Sequence, residues 1–284
     1  MNYLKHLKLK KMANVKQESG AKGGNVFSGI VIVACILFGV LLWKFVMGAG
    51  SNFEGGVNTG NPLPGNYLAM VYKGGAVVPV LMGLFLMVIV FSIERFFVIS
   101  KSAGKGKLDV FMKNVQSSIK QGNIEDAINA CDKQQGSVAN AIKSALVKYQ
   151  EVKKEGFTSE EAAETIHKEI EEATALEMPM LEQHMTILST LVALGTLAGL
   201  LGTVTGMIKA FGALATAGAP DQAALANGIS EALINTATGI STSALAIVTY
   251  NYFTSKIDTL TYSIDEAGST IVNTYRKLRG SLKS

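Results

Sequence analysis

Residues 185–208 read MTILSTLVALGTLAGLLGTVTGMI, a run of 24 residues without a charged side chain but with many Gly and Thr. A second uncharged run of 24 residues covers 232–255 and is also rich in hydroxyl side chains. Each run exceeds the roughly 20 residues that an α-helix needs to cross a bilayer. Because an unpaired hydroxyl in hydrocarbon costs free energy, we expect both helices to face protein or water rather than lipid.

The composition of the whole chain indicates an integral membrane protein. The chain is 48% hydrophobic and 17% charged, whereas soluble domains carry about 25% charged residues. Two further apolar runs, at 27–47 and 76–99, bring the number of predicted spans to four. The predicted fold class is therefore all-α, an integral membrane helical protein with both termini on the same side.

The lysines predict which side that is. Residues 1–26 carry six lysines and one acidic residue, whereas 48–75 carries only Glu54 and Lys73 as charged residues. The positive-inside rule then predicts a cytoplasmic N-terminus and periplasmic loops. The predicted cytoplasmic segments are 1–26, a helical domain at 100–184 and a C-terminal helix at 256–284; the predicted periplasmic segments are 48–75 and 209–231. The net charge of +4 is mostly this topological signal, so nucleic-acid binding is not expected.

The first apolar run allows a second interpretation. A Lys-rich start, the apolar run 27–47 and the small residues Gly48-Ala49-Gly50-Ser51 are also compatible with a cleaved signal peptide. The charged region is long for a signal peptide, which favours an additional span that is retained. Cleavage would move the mature N-terminus to the periplasm and leave the other three spans unchanged.

Helical patterns continue outside the predicted spans. Apolar residues recur at steps of three and four from Leu108 to Ile119, and Thr158 stands three residues before Glu161 in a capping-box arrangement. The acidic helix that starts there contains no evident stop signal before the third span. The fourth span likewise continues into a helix with an apolar stripe from Ile257 to Leu278. Such long helices, extending into the cytoplasm, need partners along their sides, which predicts a homo-oligomer.

The two hydroxyl-rich spans hold the candidate functional residues. Thr196 and Thr203 are seven residues apart on one face of the third span, and Glu231 and Asn235 stand near the start of the fourth. A hydroxyl both donates and accepts, so a Thr-lined path can order water or relay a proton. Alternatively, the hydroxyls bond to carbonyls one turn earlier and the small residues only pack helices. The predicted pathway residues are Thr203, Thr236, Glu231, Thr196 and Asn235, and the predicted packing residues are Gly195, Gly199, Gly202, Gly206 and Gly239.

No carboxylate or histidine lies within 185–208 or 232–255. A proton path needs a titratable group that loads and unloads in the membrane, so we expect another polypeptide to supply it. Glu94 stands beside Arg95 at the end of the second span, where an ion pair or snorkelling explains it equally well. No nucleophile–base pair or metal-ligand spacing is present, so an enzyme, a metal site and a cofactor are not predicted.

Three segments resemble the ExbB/TolQ/MotA proton-channel family, and the ExbB branch most closely. The segments are LLGTVTGMIKAF at 200–211, ISEALINTATGISTSALAIVTYNYF at 229–253 and IERFFVIS at 93–100. The resemblance implies a ring of subunits, expected to be a pentamer, around the transmembrane helices of an ExbD-like partner that carries the missing Asp. It also implies that the proton gradient across the bacterial inner membrane drives a TonB-like protein and outer-membrane protein transport.

By its motifs, the resemblance implies that Thr203 and Thr236 are pore-lining hydroxyls and that Glu231 is a polar group near the periplasmic entrance.

Two features depart from the family pattern. The family usually has three spans, so 27–47 would be an addition, and Gly195-Thr196 stands where the family often has Ala-Pro. A TolQ-like or motility stator subunit shares the same motifs, and a non-conducting structural scaffold is the alternative from another class. A secondary transporter is disfavoured because no inverted repeat is visible.

Overall fold

A computed structural model describes residues 26–155, 157–215 and 222–280 of the chain. These residues are almost entirely helical. The helices are α1 (Val26–Met47), α2 (Tyr67–Tyr72), α3 (Val78–Ser102), α4 (Leu108–Lys120), α5 (Ile124–Gln134), α6 (Gly136–Glu155), α7 (Ser159–Glu182), α8 (Met185–Ala215) and α9 (Gln222–Gly280). The Lys-rich segment 1–25, on which the orientation prediction rests, lies outside the described residues.

Four helices are long and apolar enough to cross a membrane, which confirms the predicted all-α membrane fold. They lie within Val26–Met47, Gly75–Ser102, Ser159–Ala215 and Gln222–Lys277, and the third of these ranges consists of α7 and α8. The chain forms two compact units, one from the described parts of 1–93 and 184–251 and one from those of 94–183 and 252–284. The first unit contains most of each predicted span and is called the span unit below. The second is called the helical unit.

In the span unit, α1 packs against α3 where both helices carry a glycine. A methyl group on Gly39 would stand 2.8 Å from the backbone of Gly83 and Pro79. The loop that follows α1 makes specific contacts although its sequence is rich in Gly and Asn. The Asn52 amide donates to the Val46 and Met47 carbonyls at 2.8 and 3.1 Å, and Phe53 is 3% exposed.

The predicted unbroken helix from Thr158 into the third span is wrong. The chain breaks at Gln183 and His184, and His184 adopts a left-handed backbone with φ of 64°, which a helix cannot continue through. The ring of His184 lies 5.3 Å from that of Phe91 and 6.0 Å from that of Phe27. The break between α7 and α8 thus lies at two residues that carry no helix-stop signal in the sequence.

The two pore helices extend further than predicted into the stretch 209–231. Helix α8 continues to Ala215 and α9 begins at Gln222, so the predicted connection is helical on both sides of the undescribed residues 216–221. This extension is rich in Ala, the residue with the highest helix propensity. The absence of a break after the fourth span is confirmed, because α9 is a single helix of 59 residues.

The helical unit is built from α4–α7 and the second half of α9. The apolar stripes predicted from periodicity are buried: Phe111, Met112, Val115 and Ile119 on α4, and Ile257, Leu260, Ile264, Ala267 and Ile271 on α9. Tyr149 and Tyr275 meet edge to face at 5.0 Å. The predicted capping box is present, since Thr158 Oγ1 accepts from the Glu161 backbone amide and Glu161 Oε2 accepts from the Thr158 amide. The Thr158 hydroxyl also donates to Glu161 Oε2 at 2.7 Å, and this bond together with the bond from the Thr158 amide lowers the pKa of Glu161.

The buried thiol in this unit gives a probe of its stability. Cys131 is 2% exposed, and burial together with the neighbouring Asp132 raises its pKa to about 12. The thiolate fraction at neutral pH is then about a thousandfold below that of an ordinary thiol. In a Cys35→Ser background, we expect a maleimide to label folded protein at least about 100-fold more slowly than protein unfolded in denaturant. Equal labelling rates, followed by mass spectrometry, would contradict this burial.

Candidate pore-helix site

Helices α8 and α9 touch along a seam of small residues. All five glycines predicted to pack helices lie in this seam. A methyl group on Gly199 would stand 3.1 Å from the Gly239 Cα, and one on Gly239 would stand 2.5 Å from the Gly195 carbonyl. A methyl group on Gly202 would overlap the side chain of Asn235. The missing side chains therefore allow the two backbones to approach closely, as in other small-xxx-small helix pairs.

Two hydroxyl pairs bridge this seam. Thr203 Oγ1 and Thr236 Oγ1 are in direct hydrogen-bond contact. One heptad along α8, Thr196 Oγ1 lies 2.8 Å from Ser243 Oγ. The structure thus brings together the two threonines that the sequence assigned to different spans. Ser243 was not predicted as a site residue, although its position seven residues after Thr236 was the available signal.

Each pair has more acceptors than hydrogens. Thr203 can donate to the Gly199 carbonyl and Thr236 to the Ala232 carbonyl, both at 3.2 Å, and either can donate to the other. Two hydroxyl hydrogens cannot make all three bonds at once. One hydroxyl therefore donates across the seam while the other donates to its own helix, and rotation of both hydroxyls reverses the direction. A pair with two such arrangements can receive a hydrogen bond from one side and offer one to the other.

Other hydroxyls of α9 lack this property. Thr238 donates to the Ile234 carbonyl at 2.8 Å and Thr242 to the Thr238 carbonyl at 2.9 Å. For these two residues the alternative of back-bonding within the helix is sufficient.

The ends of α8 and α9 next to the seam carry an ion pair. Lys209 Nζ lies 2.5 Å from Glu231 Oε1, and Glu231 is only 8% exposed. Lys209 was not predicted as a site residue. The sequence contained a signal for it. Lys209 directly follows the uncharged run 185–208, and Glu231 directly precedes the uncharged run 232–255, so both residues were expected at the same membrane boundary.

Asn235 lies one turn along α9 from Glu231 and is fully buried. Its Nδ2 donates to the Gly74 carbonyl at 2.8 Å, and its Oδ1 has no protein hydrogen-bond partner among the described residues. Asn235 therefore faces the turn before α3 as well as the seam. Within the described ranges, no group of three or more His, Cys, Asp and Glu side chains could hold a metal ion.

Beside the seam, α8 presents an apolar groove of about 510 Å³. Thr203 lies at its edge, and the other lining residues are Leu200, Val204, Met207, Ile208 and Phe211. Four of these side chains are strongly exposed, with Ile208 at 65% and Phe211 at 60%. The Thr203–Thr236 pair thus borders a surface of α8 that no described part of this chain covers.

Several known proteins and a protein family are similar in sequence to parts of this chain. Residues 133–266 match the MotA/TolQ/ExbB proton channel family. The chain is 33% identical over 88 residues to biopolymer transport protein ExbB-like 3 of Synechocystis, which is 30% of this chain and 42% of that protein. It is 26% identical to the Tol-Pal system protein TolQ of Pseudomonas aeruginosa over 56% of this chain and 69% of that protein. Identity to the biopolymer transport protein ExbB of Xanthomonas campestris is 29%, over 52% of this chain and 64% of that protein.

The matched region contains all of α8, α9 as far as residue 266, the seam and both hydroxyl pairs. The chain spans less than half of the ExbB-like protein and about two thirds of the TolQ and ExbB proteins. Residues 133–266, just under half of the chain, are therefore similar to the MotA/TolQ/ExbB proton channel family.

Proposed function

We propose that this chain is a proton-channel and motor subunit resembling ExbB in the bacterial inner membrane. It works with an ExbD-like partner to couple the proton gradient to TonB-dependent outer-membrane transport. The observation that carries the proposal is the Thr203–Thr236 pair, which joins the uncharged runs 185–208 and 232–255, neither of which contains a carboxylate. A relay without a titratable group requires one from outside, and a partner's transmembrane Asp is that group.

The apolar groove of α8 supports this assignment. A transmembrane helix that carries an Asp needs an apolar surface along most of its length and a hydroxyl at the level of its carboxyl group. The groove offers both, since Thr203 borders an otherwise apolar lining. In this proposal the lining is completed by a ring of identical subunits, expected to be a pentamer, around the partner helices.

The proposed cycle moves protons in steps. A proton enters past Glu231 and Asn235, reaches the partner's Asp opposite Thr203 and Thr236, and leaves on the cytoplasmic side. Neutralising the Asp lowers its cost in apolar surroundings, so the partner helix can move past the lining. One charge crossing 100 mV yields about 2.3 kcal/mol, so useful work on a TonB-like protein needs several protons.

The test measures proton flux in vesicles that contain this chain with and without an ExbD-like protein. We expect flux well above the lipid background only when both proteins are present. A partner variant with Asn for the transmembrane Asp serves as the control for assembly without conduction. Background flux in the complete complex would favour a structural scaffold instead.

A TolQ-like role is the second candidate, because the match to TolQ covers the largest share of a relative among those compared. Both roles use the same pore residues and differ in the protein that is driven. Deletion of the gene separates them: loss of iron-limited growth supports the ExbB-like role, and a defect in envelope constriction supports the TolQ-like role.

A further inference from the structure

The turn before α3 touches both polar residues at the outer end of α9. Gly75 has a left-handed backbone with φ of 78°, and a Cβ there would overlap Glu231 Oε1. The Glu231 carboxylate therefore occupies the space that the missing side chain leaves free. The adjacent Gly74 carbonyl accepts the hydrogen bond from Asn235 Nδ2 at 2.8 Å. The Gly74–Gly75 dipeptide thus contacts both Glu231, which pairs with Lys209, and the buried amide of Asn235.

The Gly74–Gly75 turn is itself held by α1 and by the loop that follows α1. The indole of Trp43 on α1 stacks on the ring of Tyr72 at 4.8 Å, and its Nε1 donates to the Tyr72 carbonyl at 3.3 Å. Phe53 meets the same ring edge to face at 5.5 Å, and Asn58 Nδ2 donates to Tyr72 Oη at 3.0 Å. Tyr72 is two residues before Gly74, so these contacts fix the backbone that reaches α9.

Helix α1 lies at the periphery of the span unit, and a purely peripheral helix would not need the contact between Trp43 and Tyr72. Helix α1 is the least covered of the four candidate spans, with 11% of its apolar window buried against 28–39% for the others. Its burial is concentrated at the face towards α3, where Cys35 is 7% exposed and Gly39 meets Gly83. The end of α1 nevertheless carries the one tryptophan of the chain, which is placed on Tyr72 rather than towards lipid.

We propose that the Gly74–Gly75 turn positions Glu231 and Asn235 at the proton entrance, and that α1 with its loop holds this turn in place. The inference rests on the proposed function, since it assigns a role at the entrance of that channel. It makes the additional span a working part of the channel and requires that this span is retained in the mature protein. Gly75, Tyr72 and Trp43 act as positioning residues, because in this proposal each of them affects proton entry only through the turn that holds Glu231 and Asn235.

A matched pair of glycine substitutions tests the turn. Gly75 and Gly65 share a φ of 78°, but a Cβ on Gly65 meets nothing within 4 Å. Gly75→Ala and Gly65→Ala therefore impose the same backbone strain, and only the first displaces Glu231. The readout is the zero-length amide cross-link that a water-soluble carbodiimide forms between Lys209 and Glu231, quantified by mass spectrometry. We expect at least a fivefold loss of cross-link in Gly75→Ala and less than a twofold change in Gly65→Ala.

A second pair of variants tests the contribution of α1. Trp43 touches neither Glu231 nor Lys209, so any effect on their cross-link must pass through Tyr72 and the turn. Trp43→Ala removes the stacking and the hydrogen bond, and we expect the same cross-link loss as in Gly75→Ala. Trp43→Phe keeps the stacking and should restore at least half of the yield. This pair decides the question even if Gly75→Ala fails to fold.

Proton flux in the complete complex is measured on the same four variants. We expect flux to fall at least fivefold in Gly75→Ala and Trp43→Ala, in parallel with the cross-link. An unchanged cross-link in these two variants overturns the positioning role of the turn. A lost cross-link with unchanged flux overturns its role at the entrance. Absence of flux in the wild-type complex overturns the proposed function and the entrance role with it, while the cross-link still shows whether the turn holds Glu231.

Discussion

The double variant Thr203→Val, Thr236→Val is expected to lose proton conduction by about two orders of magnitude, the scale of losing a positioned proton-transfer group. Valine keeps the branched shape of threonine and removes the hydroxyl from both sides of the seam. Replacing both partners of a buried hydrogen bond by apolar groups of the same shape is close to neutral for stability. The fold and the glycine contacts of α8 with α9 should therefore survive, and only the hydroxyl pair is lost.

Single variants should have a smaller effect. In Thr203→Val, the remaining Thr236 hydroxyl still donates to the Ala232 carbonyl, and it keeps a lone pair for the partner's Asp. We expect an intermediate loss of flux, about tenfold, from each single change. Assembly is monitored by native electrophoresis so that a loss of complex is not mistaken for a loss of conduction.

Thr238→Val, Thr242→Val is the control for this experiment. It removes the same number of hydroxyls from α9, but both of them bond only within that helix. We expect conduction within a factor of two of wild type. If the control loses as much flux as the seam variant, the hydroxyl pair has no special role; normal flux in the seam variant contradicts the relay directly.

The sequence was sufficient to predict the fold class and four helical segments long and apolar enough to cross a membrane. Uncharged runs of about 20 residues have few alternatives in a folded protein, and the buried stripe on α4 follows directly from its periodicity. The break at His184 was not predictable from local pattern, because the rings that His184 contacts, those of Phe27 and Phe91, lie more than 90 residues away in sequence.

Part of the candidate site could also be predicted from the sequence, and part could not. The spacing of Thr196, Thr203 and the glycines placed them on one face of a helix, and their counterparts on α9 could be recognised by the same reasoning. The contact between Asn235 and Gly74 joins positions 161 residues apart, and nothing local in either segment indicates it. Glycines at 74 and 75 are ordinary turn residues in the sequence; their proximity to Glu231 exists only once α3 and α9 have packed.

Arg95→Met is expected to destabilise the helical unit by about 3–5 kcal/mol, the usual cost of removing one partner of a buried ion pair. Arg95 is 1% exposed and binds the Glu94 carboxylate, so the ion pair rather than snorkelling explains this charged dipeptide. Its Nη1 also donates to the Met180 and Leu181 carbonyls at 3.2 and 3.3 Å. These carbonyls belong to the last turn of α7, where helix geometry leaves acceptors without intrahelical donors and the helix dipole is negative.

The maleimide reaction of Cys131 measures this destabilisation, because the thiol lies in the same unit and reacts only when its surroundings open. A loss of about 3–5 kcal/mol corresponds to an opening constant raised by about two to nearly four orders of magnitude, and the labelling rate should rise accordingly in Arg95→Met. Arg95→Lys should be intermediate, since an ammonium keeps the charge but cannot bind a carboxylate and two carbonyls in one plane. The double variant Glu94→Leu, Arg95→Met removes both charges and should recover most of the loss. If the double variant labels as fast as Arg95→Met, the carbonyl bonds to α7 dominate and the ion pair contributes little; if Arg95→Met labels as slowly as wild type, Arg95 does not stabilise this unit at all.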